Sequence, residues 1–268
     1  MHIPRKRFGQ NFLEDRGVVE QILAALRPQP ADRFIEVGPG LGALTLPLLQ
    51  RLAHLEVVEI DRDLIARLRS SHPAGRLTIH AGDALEFDFA ALGRGLRITG
   101  NLPYNISTPL LFHVTAGIEA IQDAHFMLQR EVVERMAARP GTAAYGRLSV
   151  MLQYRWNIDS LFDVPPAAFH PAPKVWSSFV RMIPHPLRPH VAHSESLLAE
   201  VVTRAFGQRR KTLRNALRGM LSAPELEDLG IDPGARGETL AVGEFVRIAN
   251  RIAGTWSGPC RSASSAAE

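Results

Sequence analysis

Cysteine is almost missing from this sequence. The single cysteine among 268 residues, Cys260, lies in a polar segment near the C-terminus. One thiol cannot form a disulfide within the chain or supply the paired thiolates of a cysteine-based metal site. Long apolar runs are missing too: none approaches the roughly 18 residues needed to span a bilayer, and the basic N-terminus has no apolar core typical of a secretory signal. We therefore expect a cytoplasmic protein with no metal ion and no membrane partner.

Lysine is the next scarce residue. Lys6, Lys174 and Lys211 are the only lysines among 31 basic residues, and the others are arginines. The guanidinium group suits phosphate because it donates two parallel hydrogen bonds, although a coding bias towards arginine would give the same composition. Position is more informative than number, and two basic clusters near the ends of the chain favour a polyanionic partner. The clusters are Arg5, Lys6 and Arg7 at the start, and Arg204, Arg209, Arg210, Lys211, Arg214 and Arg218 towards the end.

The chain is long enough for one large domain and one small domain. Before residue 184, short apolar runs typical of strands alternate with segments of helical spacing. This alternation predicts an α/β fold with a Rossmann-like, mostly parallel sheet and helices on both faces. The predicted strands are Phe34–Val37, Leu55–Ile60, Leu77–His80, Leu96–Thr99, Ala124–Leu128 and Ser177–Met182.

Three prolines, Pro184, Pro186 and Pro189, interrupt this pattern and predict a domain boundary. We assign residues 1–186 to the α/β domain and residues 187–256 to a smaller, all-helical domain. Residues 257–268 are small and polar, and we expect them to be disordered. Apolar residues at helical spacing predict three helices in the second domain, over residues 197–206, 212–221 and 242–252.

A glycine-rich turn follows the first predicted strand of the sheet. Residues 36–42 read EVGPGLG, and glycines at such a place let the backbone approach a ligand because they carry no Cβ atom. Glu59 ends the second strand, 21 residues after Gly38, where its carboxylate can accept both hydroxyl groups of a ribose. Asp83 follows the third strand and can accept from an adenine amino group. These features predict a nucleoside-binding site.

Two cofactors could occupy such a site. A dinucleotide-binding fold has the pattern Gly-x-Gly-x-x-Gly and places a pyrophosphate at the helix N-terminus. Here the third glycine, Gly42, comes one residue early, and Glu36 places a carboxylate beside the turn. A carboxylate favours a cationic amino-acid group over a pyrophosphate, and S-adenosylmethionine has such a group together with adenine and ribose. We therefore predict S-adenosylmethionine as the cofactor, with a nicotinamide dinucleotide as the alternative.

The fourth strand ends in Asn101-Leu102-Pro103-Tyr104. The amino group of adenine is a poor nucleophile because its lone pair is delocalised into the ring. The Asn101 side-chain oxygen and the Leu102 carbonyl can accept its two N–H bonds and so direct the lone pair at a methyl donor. Pro103 stiffens the turn, and Tyr104 can stack on the base, as in enzymes that extrude a target base. Asn101, Leu102 and Tyr104 are therefore predicted catalytic residues.

A second aromatic residue would complete the grip on the base. Phe169 lies in VPPAAFHPAPKV, residues 164–175, where four prolines predict a stiff loop. On this loop its ring could close on the other face of the base, which makes Phe169 the fourth predicted catalytic residue. The alternative interpretation is that Phe169 anchors the loop in the core.

Together these segments resemble the KsgA-type rRNA adenine N6-dimethyltransferases, a family of class I S-adenosylmethionine-dependent methyltransferases. The resemblance extends from about Arg5 to Ala253, and the combination of motifs is specific although each is short. The segment 206–213 favours the small-subunit enzymes over the Erm-type enzymes, which dimethylate an adenine of large-subunit rRNA, and over the mitochondrial transcription-factor relatives. The matching segments are KRFGQNFL at residues 6–13, EVGPGLG at 36–42, NLPY at 101–104, FHPAPKV at 169–175 and FGQRRKTL at 206–213.

The resemblance implies a role for each predicted residue. The substrate would be two adjacent adenines in the 3′-terminal hairpin loop of 16S rRNA, in an immature 30S subunit, and each would receive two methyl groups. The protein would act as a monomer in small-subunit biogenesis, with both basic clusters on RNA phosphates. The cofactor would be held by Asn11 and Leu13, from an N-terminal arm folded over it, and by Gly38, Gly40, Glu59, Asp83 and Asn101.

A function of a different class is a non-catalytic assembly factor that uses the methyltransferase fold only to bind RNA. Asn101 and Glu59 argue against this hypothesis, because a protein that only binds RNA needs neither residue.

Overall fold

The computed structural model describes residues 10–71, 75–208 and 210–255, which form two compact units. The first unit contains the described residues up to 138 and residues 155–187, and the second contains residues 139–154 and those from 188 onwards. A single boundary after residue 186 is therefore an incomplete description, since residues 139–154 belong to the second unit. Hydrogen bonds explain this: the Gly141 N–H donates to the Glu238 carbonyl at 2.7 Å, and the Tyr145 hydroxyl donates to the Leu240 carbonyl at 2.8 Å.

A seven-stranded sheet forms the centre of the first unit, with the strand order β4-β3-β2-β5-β6-β9-β7. The five strands from β4 to β6 in this order are parallel, while β9 is antiparallel to both of its neighbours, β6 and β7. The predicted mostly parallel sheet is confirmed; β7, an edge strand with many polar residues, was missed. The strands are β1 Phe12–Leu13, β2 Arg33–Val37, β3 Leu55–Glu59, β4 Leu77–Ala81, β5 Leu96–Asn101, β6 Ile121–Gln129, β7 Trp156–Val164, β8 Phe169–His170 and β9 Ser177–Pro184.

Five helices belong to the first unit. The longest begins where the Asp15 side chain accepts a hydrogen bond from the Val18 N–H at 3.0 Å, which satisfies a free donor of the first turn. Its apolar residues recur at helical spacing and pack with Phe34, Met127 and Phe179 of the sheet in one core cluster. The helices are α1 Arg16–Leu26, α2 Thr45–Leu49, α3 Arg62–Ser71, α4 Ser107–Ala116 and α5 Arg130–Met136.

The second unit is helical, as predicted. The predicted helix over residues 212–221 is wrong beyond Ala216, because the chain continues in turns and Gly219 has a φ of +83°, which a right-handed helix does not allow. Arg210 and Lys211 consequently precede the short helix that contains Arg214, and the three do not share one helix face. The helices are α6 Arg147–Gln153, α7 Glu195–Gly207, α8 Leu213–Ala216, α9 Ala223–Asp228 and α10 Val242–Thr255.

The strand order reverses beside β2, which has β3 on one side and β5 on the other. In open α/β sheets, ligands bind outside the carboxyl ends of the strands at such a switch point. The glycine-rich turn leaves β2 here, and the Asn101–Tyr104 turn leaves β5. The topology therefore brings both predicted motifs to one edge of the sheet.

Candidate active site

A cavity of about 310 Å³ opens at this edge of the sheet. Its size is within the range of small-molecule sites. The residues that line it come from the ends of β2, β3, β4 and β5 and from the N-terminal arm. Nine residues predicted from the sequence line the cavity: Asn11, Leu13, Gly38, Gly40, Glu59, Asp83, Asn101, Leu102 and Tyr104.

Tight backbone packing shapes the floor of the cavity. Gly38, Gly40 and Gly42 all have positive φ angles, of 66°, 58° and 89°, a region that other residues rarely occupy. A Cβ atom on Gly40 would lie 3.1 Å from the Phe12 ring of the arm. Gly100, which the sequence reasoning did not single out, is equally constrained: a Cβ atom there would lie 2.3 Å from the Val37 carbonyl oxygen.

Glu59 links the glycine turn to the end of β3. One carboxylate oxygen accepts from the Ile60 and Asp61 N–H groups, both at 2.9 Å, and the other accepts from the Gly40 N–H at 3.3 Å. Burial raises the pKa of Glu59, and the three backbone hydrogen bonds partly offset this. The same side chain therefore orients the turn and presents an acceptor to the cavity.

Glu36 is the most buried carboxylate of the cavity, with 2% of its surface exposed. Its Oε2 accepts from the Thr45 hydroxyl at 2.7 Å. Burial raises its pKa from 4.5 to about 7; the Thr45 hydrogen bond opposes this shift and the Glu59 charge adds to it. A cation bound beside Glu36 would stabilise its ionised form.

The charges of the lining decide between the two cofactors. Glu36, Glu59 and Asp83 line the cavity, and its lining contains no lysine or arginine within the described residues. Three carboxylates suit a ligand that carries positive charge and hydroxyl donors, whereas a pyrophosphate would be repelled. The donor set and the glycine cradle thus fit S-adenosylmethionine and argue against a nicotinamide dinucleotide.

Asn101 has a defined orientation at the cavity rim. Its Nδ2 donates to the Asn11 carbonyl oxygen at 2.8 Å, so its Oδ1 is the acceptor left for a ligand. In the arm beside it, Gln10 Nε2 donates to Asp61 Oδ2 at 3.3 Å. The arm thereby orients the Asn101 amide through a link across 90 residues. The sequence reasoning missed this link because no local pattern encodes it.

The rest of the turn is held by main-chain bonds. The Leu102 N–H donates to the Met127 carbonyl at 3.2 Å, and the Pro103 carbonyl accepts from the Ile106 N–H at 3.2 Å. Among the described residues, no donor reaches the Leu102 carbonyl oxygen. The Tyr104 hydroxyl lies 2.9 Å from the Ser177 hydroxyl of β9, and burial raises the pKa of Tyr104.

Phe169 does not reach the cavity in this structure. Its side chain is 5% exposed and belongs to the core cluster that contains Leu13 and Phe179. The cause is β8, in which Phe169 pairs with Leu13 of the arm. A ring that stacks on a base needs a free face, so the structure supports the core-anchor interpretation, and a stacking role would require this segment to move.

The basic clusters are only partly visible. Arg5, Lys6, Arg7 and Arg209 lie outside the described residues, as does the segment 257–268 for which disorder was predicted. Arg210, Lys211 and Arg214 are exposed. Arg214 lines a shallow groove together with Arg218, another exposed arginine whose Nη2 donates to Asn215 Oδ1 at 3.2 Å.

Two structural features are lacking from the described part of the chain. None of its helices combines the length and apolarity required to cross a membrane. Nor does this part contain a group of three or more His, Cys, Asp or Glu side chains placed to hold a metal ion.

Known proteins match nearly all of the chain. The model of the family described as ribosomal RNA adenine dimethylase matches residues 1–254. A protein of Chromobacterium violaceum named ribosomal RNA small subunit methyltransferase A is 62% identical over 252 residues, which cover 94% of this chain and 96% of that protein. A protein of the same name from Aromatoleum aromaticum is 61% identical over 252 residues, 94% of this chain and 95% of that protein.

Solved structures show the same fold. A dimethyladenosine transferase from Plasmodium falciparum superposes with a TM-score of 0.78 at 24% identity, covering 91% of this chain and 98% of that one. The 23S rRNA methyltransferase ErmE superposes with a TM-score of 0.72 at 23% identity, covering 91% of this chain and 100% of that one. The chain thus belongs to the ribosomal RNA adenine dimethylase family, whose members are S-adenosylmethionine-dependent methyltransferases.

Proposed function

We propose that this enzyme dimethylates N6 of two adjacent adenines in the 3′-terminal hairpin loop of 16S rRNA, within the immature 30S subunit. The names of relatives above 60% identity support a small-subunit substrate. One observation of the site carries the proposal: Asn101 presents its oxygen, beside the Leu102 carbonyl, at the rim of an acidic cavity. Those two acceptors match the two N–H bonds of an adenine amino group.

The turn from Asn101 to Tyr104 performs the chemistry on the base. Two accepted hydrogen bonds hold the amino nitrogen in a pyramidal geometry, and its lone pair then points into the cavity. Tyr104, tethered to Ser177, offers a ring face to the base. No strong base is required at this site, because the nitrogen becomes cationic when it is methylated and then releases its proton readily.

The cavity holds the cofactor with complementary charge. Bound S-adenosylmethionine supplies a methyl group activated by its sulfonium. Glu59 accepts from the ribose hydroxyls, Asp83 accepts from the cofactor's adenine amino group, and Glu36 faces the positive charge. Asn11 and Leu13 of the arm cover the cavity, which excludes water from the reacting atoms.

The basic residues bind the RNA backbone. Arg210, Lys211 and Arg214 contact phosphates through the second unit, and the N-terminal cluster Arg5–Arg7 binds a separate part of the RNA. Phosphate contacts orient the RNA, whereas contacts to the base select the target. The protein acts as a monomer in the cytoplasm, and its product contributes to small-subunit biogenesis.

An assay on ribosomal particles tests the proposal. The protein is incubated with S-adenosylmethionine and 30S particles that lack this modification, and the RNA is digested and analysed by mass spectrometry. We expect N6-dimethyladenosine at two adjacent positions. Because Asn101 positions the amino nitrogen, Asn101→Ala should lower the rate constant for methylation about 100-fold. A loss of this size is expected when the reacting atoms are displaced by about 1 Å.

Asn157→Ala is the matched control, since Asn157 is an exposed asparagine on the edge strand β7. It should methylate at the wild-type rate. A wild-type protein that binds the particles but forms no dimethyladenosine would refute the proposal and favour an assembly factor without catalysis.

A further inference from the structure

Trp176 presents a large aromatic surface to solvent directly beside the catalytic turn. Its side chain is 47% exposed, and the preceding Lys174 and Val175 are exposed as well. Within residues 10–71, 75–208 and 210–255, no ring contact or hydrogen bond engages the indole. Tryptophan is enriched at interfaces because its ring buries a large apolar area while its N–H can donate to a partner.

The backbone at Trp176 is anchored although its side chain is free. The Trp176 carbonyl accepts from the Arg130 N–H at 3.0 Å, at the start of α5. The next residue, Ser177, is paired with both Gln129 and Val164. A ring on this backbone is therefore presented by a rigid element, which lowers the entropy lost when a ligand binds.

Strand register places Trp176 at the same edge of the sheet as the catalytic turn. Strand pairing aligns Asn101 of β5 with Met127 of β6 and with Phe179 of β9. Asn101 and Phe179 are therefore two strand spacings apart, which is about 10 Å across the sheet. Trp176 lies three residues beyond Phe179, about another 10 Å along the strand direction. The contact between the Ser177 and Tyr104 hydroxyls, at 2.9 Å, joins this segment to the turn itself.

The local charges suit a nucleotide. Lys174 forms no ion pair within the described residues and lies two positions from the indole. Arg130, whose N–H donates to the Trp176 carbonyl, lies 3.1 Å from Glu134 and 3.7 Å from Asp163 and offsets part of their negative charge. A free ammonium beside an exposed indole is the combination that binds phosphate and base in single-stranded nucleic acid.

We propose that Lys174 and Trp176 form a second nucleotide subsite, in which the indole stacks on a base that neighbours the target adenine and Lys174 contacts its phosphate. This inference rests on the proposed function and names a contact for it that neither the cavity nor the basic clusters provide. The subsite holds the flanking nucleotide while the target base enters the turn at Asn101. It thereby favours substrates in which the bases beside the target are unpaired.

Kinetics with 30S particles lacking the modification test the subsite. Trp176→Ala should raise the KM for the particles about fivefold or more. A fivefold change is the lower end of the loss in binding affinity that follows when a base-stacking aromatic ring is replaced by alanine. The rate constant at saturation and the affinity for S-adenosylmethionine should stay near wild type. Trp176→Phe keeps an aromatic face and should restore most of the affinity.

Ile183→Ala is the matched control, since Ile183 is a partly exposed apolar residue of the same strand, at its other end. It should leave the KM unchanged. An unchanged KM for Trp176→Ala, or equal losses for the Ala and Phe variants, would overturn the subsite.

A binding experiment separates this proposal from the proposed function. Titration of the wild-type protein with a single-stranded, adenine-rich RNA oligonucleotide should quench part of its tryptophan fluorescence, and Trp176→Phe should abolish that part. The quenching needs no catalysis, so it tests Trp176 even if the wild-type protein methylates nothing. Quenching that is identical in the two proteins would overturn the subsite while leaving the methyltransferase proposal intact.

Discussion

Glu36 is an unusual residue for the interior of a protein, because it has a hydroxyl partner and a neighbouring carboxylate but, among the described residues, no cation beside it. Its pKa of about 7 means that the native protein keeps a proton that the unfolded chain loses above about pH 4.5. The free energy of unfolding must then fall as the pH rises from about 4.5 to about 7, by up to about 3 kcal/mol. Burial of this carboxyl therefore lowers the stability of the cofactor-free protein at neutral pH.

Glu36→Gln tests this cost directly. Glutamine keeps an acceptor for Thr45 but cannot ionise, so we expect the variant to be more stable than the wild type at pH 8 by about 2–3 kcal/mol. At pH 5, where native Glu36 is protonated, the two proteins should have nearly equal stability. Urea unfolding of the cofactor-free proteins at both pH values measures the difference; a gain of the same size at both would contradict the assigned pKa.

The short strand pair β1–β8 is the element that connects the arm to the proline-rich loop. Phe12 pairs with His170 and Leu13 pairs with Phe169, while the Glu14 N–H donates to the Ala168 carbonyl at 2.9 Å. The arm also accepts the Asn101 hydrogen bond. The short arm thus connects the lining of the cavity, the Asn101 amide and the loop that carries Phe169.

Two variants of Phe169 distinguish a structural role of its ring from a catalytic role. Phe169→Ala should destabilise the protein by about 3 kcal/mol, because it removes a buried aromatic side chain from the core. Phe169→Leu should cost less than about 1.5 kcal/mol, because it keeps most of the buried volume. Chemical denaturation measures both values.

Methylation by the leucine variant then tests the stacking role. If Phe169 only anchors the loop, Phe169→Leu should methylate 30S particles at close to the wild-type rate. A folded leucine variant with a strongly reduced rate would show that the aromatic ring acts on the base, and that this segment moves during the reaction.

At the scale of the whole molecule, fold alone does not identify the substrate. A dimethyladenosine transferase and a 23S rRNA methyltransferase superpose with similar TM-scores. The relatives at 62% and 61% identity are named small-subunit methyltransferases, and these names support the proposed small-subunit substrate. In the proposed reaction, exposed basic residues contribute to binding of the particle, and a comparison of folds does not register surface charge.

Surface charge can be tested by its salt dependence. We expect a triple alanine variant at Arg210, Lys211 and Arg214 to bind 30S particles more weakly than the wild type. The logarithm of its association constant should also fall less steeply with the logarithm of the salt concentration. Each phosphate contact that is lost should lower the slope by about 0.7–0.9. Arg204→Ala is the control, because Arg204 is paired with Glu200 at 2.9 Å on the exposed helix α7. A triple variant with an unchanged slope would exclude this cluster from the RNA interface.

Local patterns were sufficient for much of the fold. The strands β2 to β6 and β9 and the helices α7 and α10 follow from apolar spacing. The edge strand β7 was missed because its alternation of apolar and polar residues is interrupted at Ser160, where its register with β9 shifts. Helix α8 was predicted too long, since Gly219 ends the helical conformation that the apolar spacing favours.

Local sequence patterns were enough to identify the groups that line the cavity: the glycine turn, the carboxylates Glu36, Glu59 and Asp83, and the Asn101–Tyr104 turn. They were enough because each motif directly follows a strand, and parallel strands bring their carboxyl ends to one edge. The tertiary structure alone decided the orientation of the Asn101 amide, the burial of Phe169 and the place of residues 139–154. These depend on contacts between residues far apart in the chain, which no local pattern specifies.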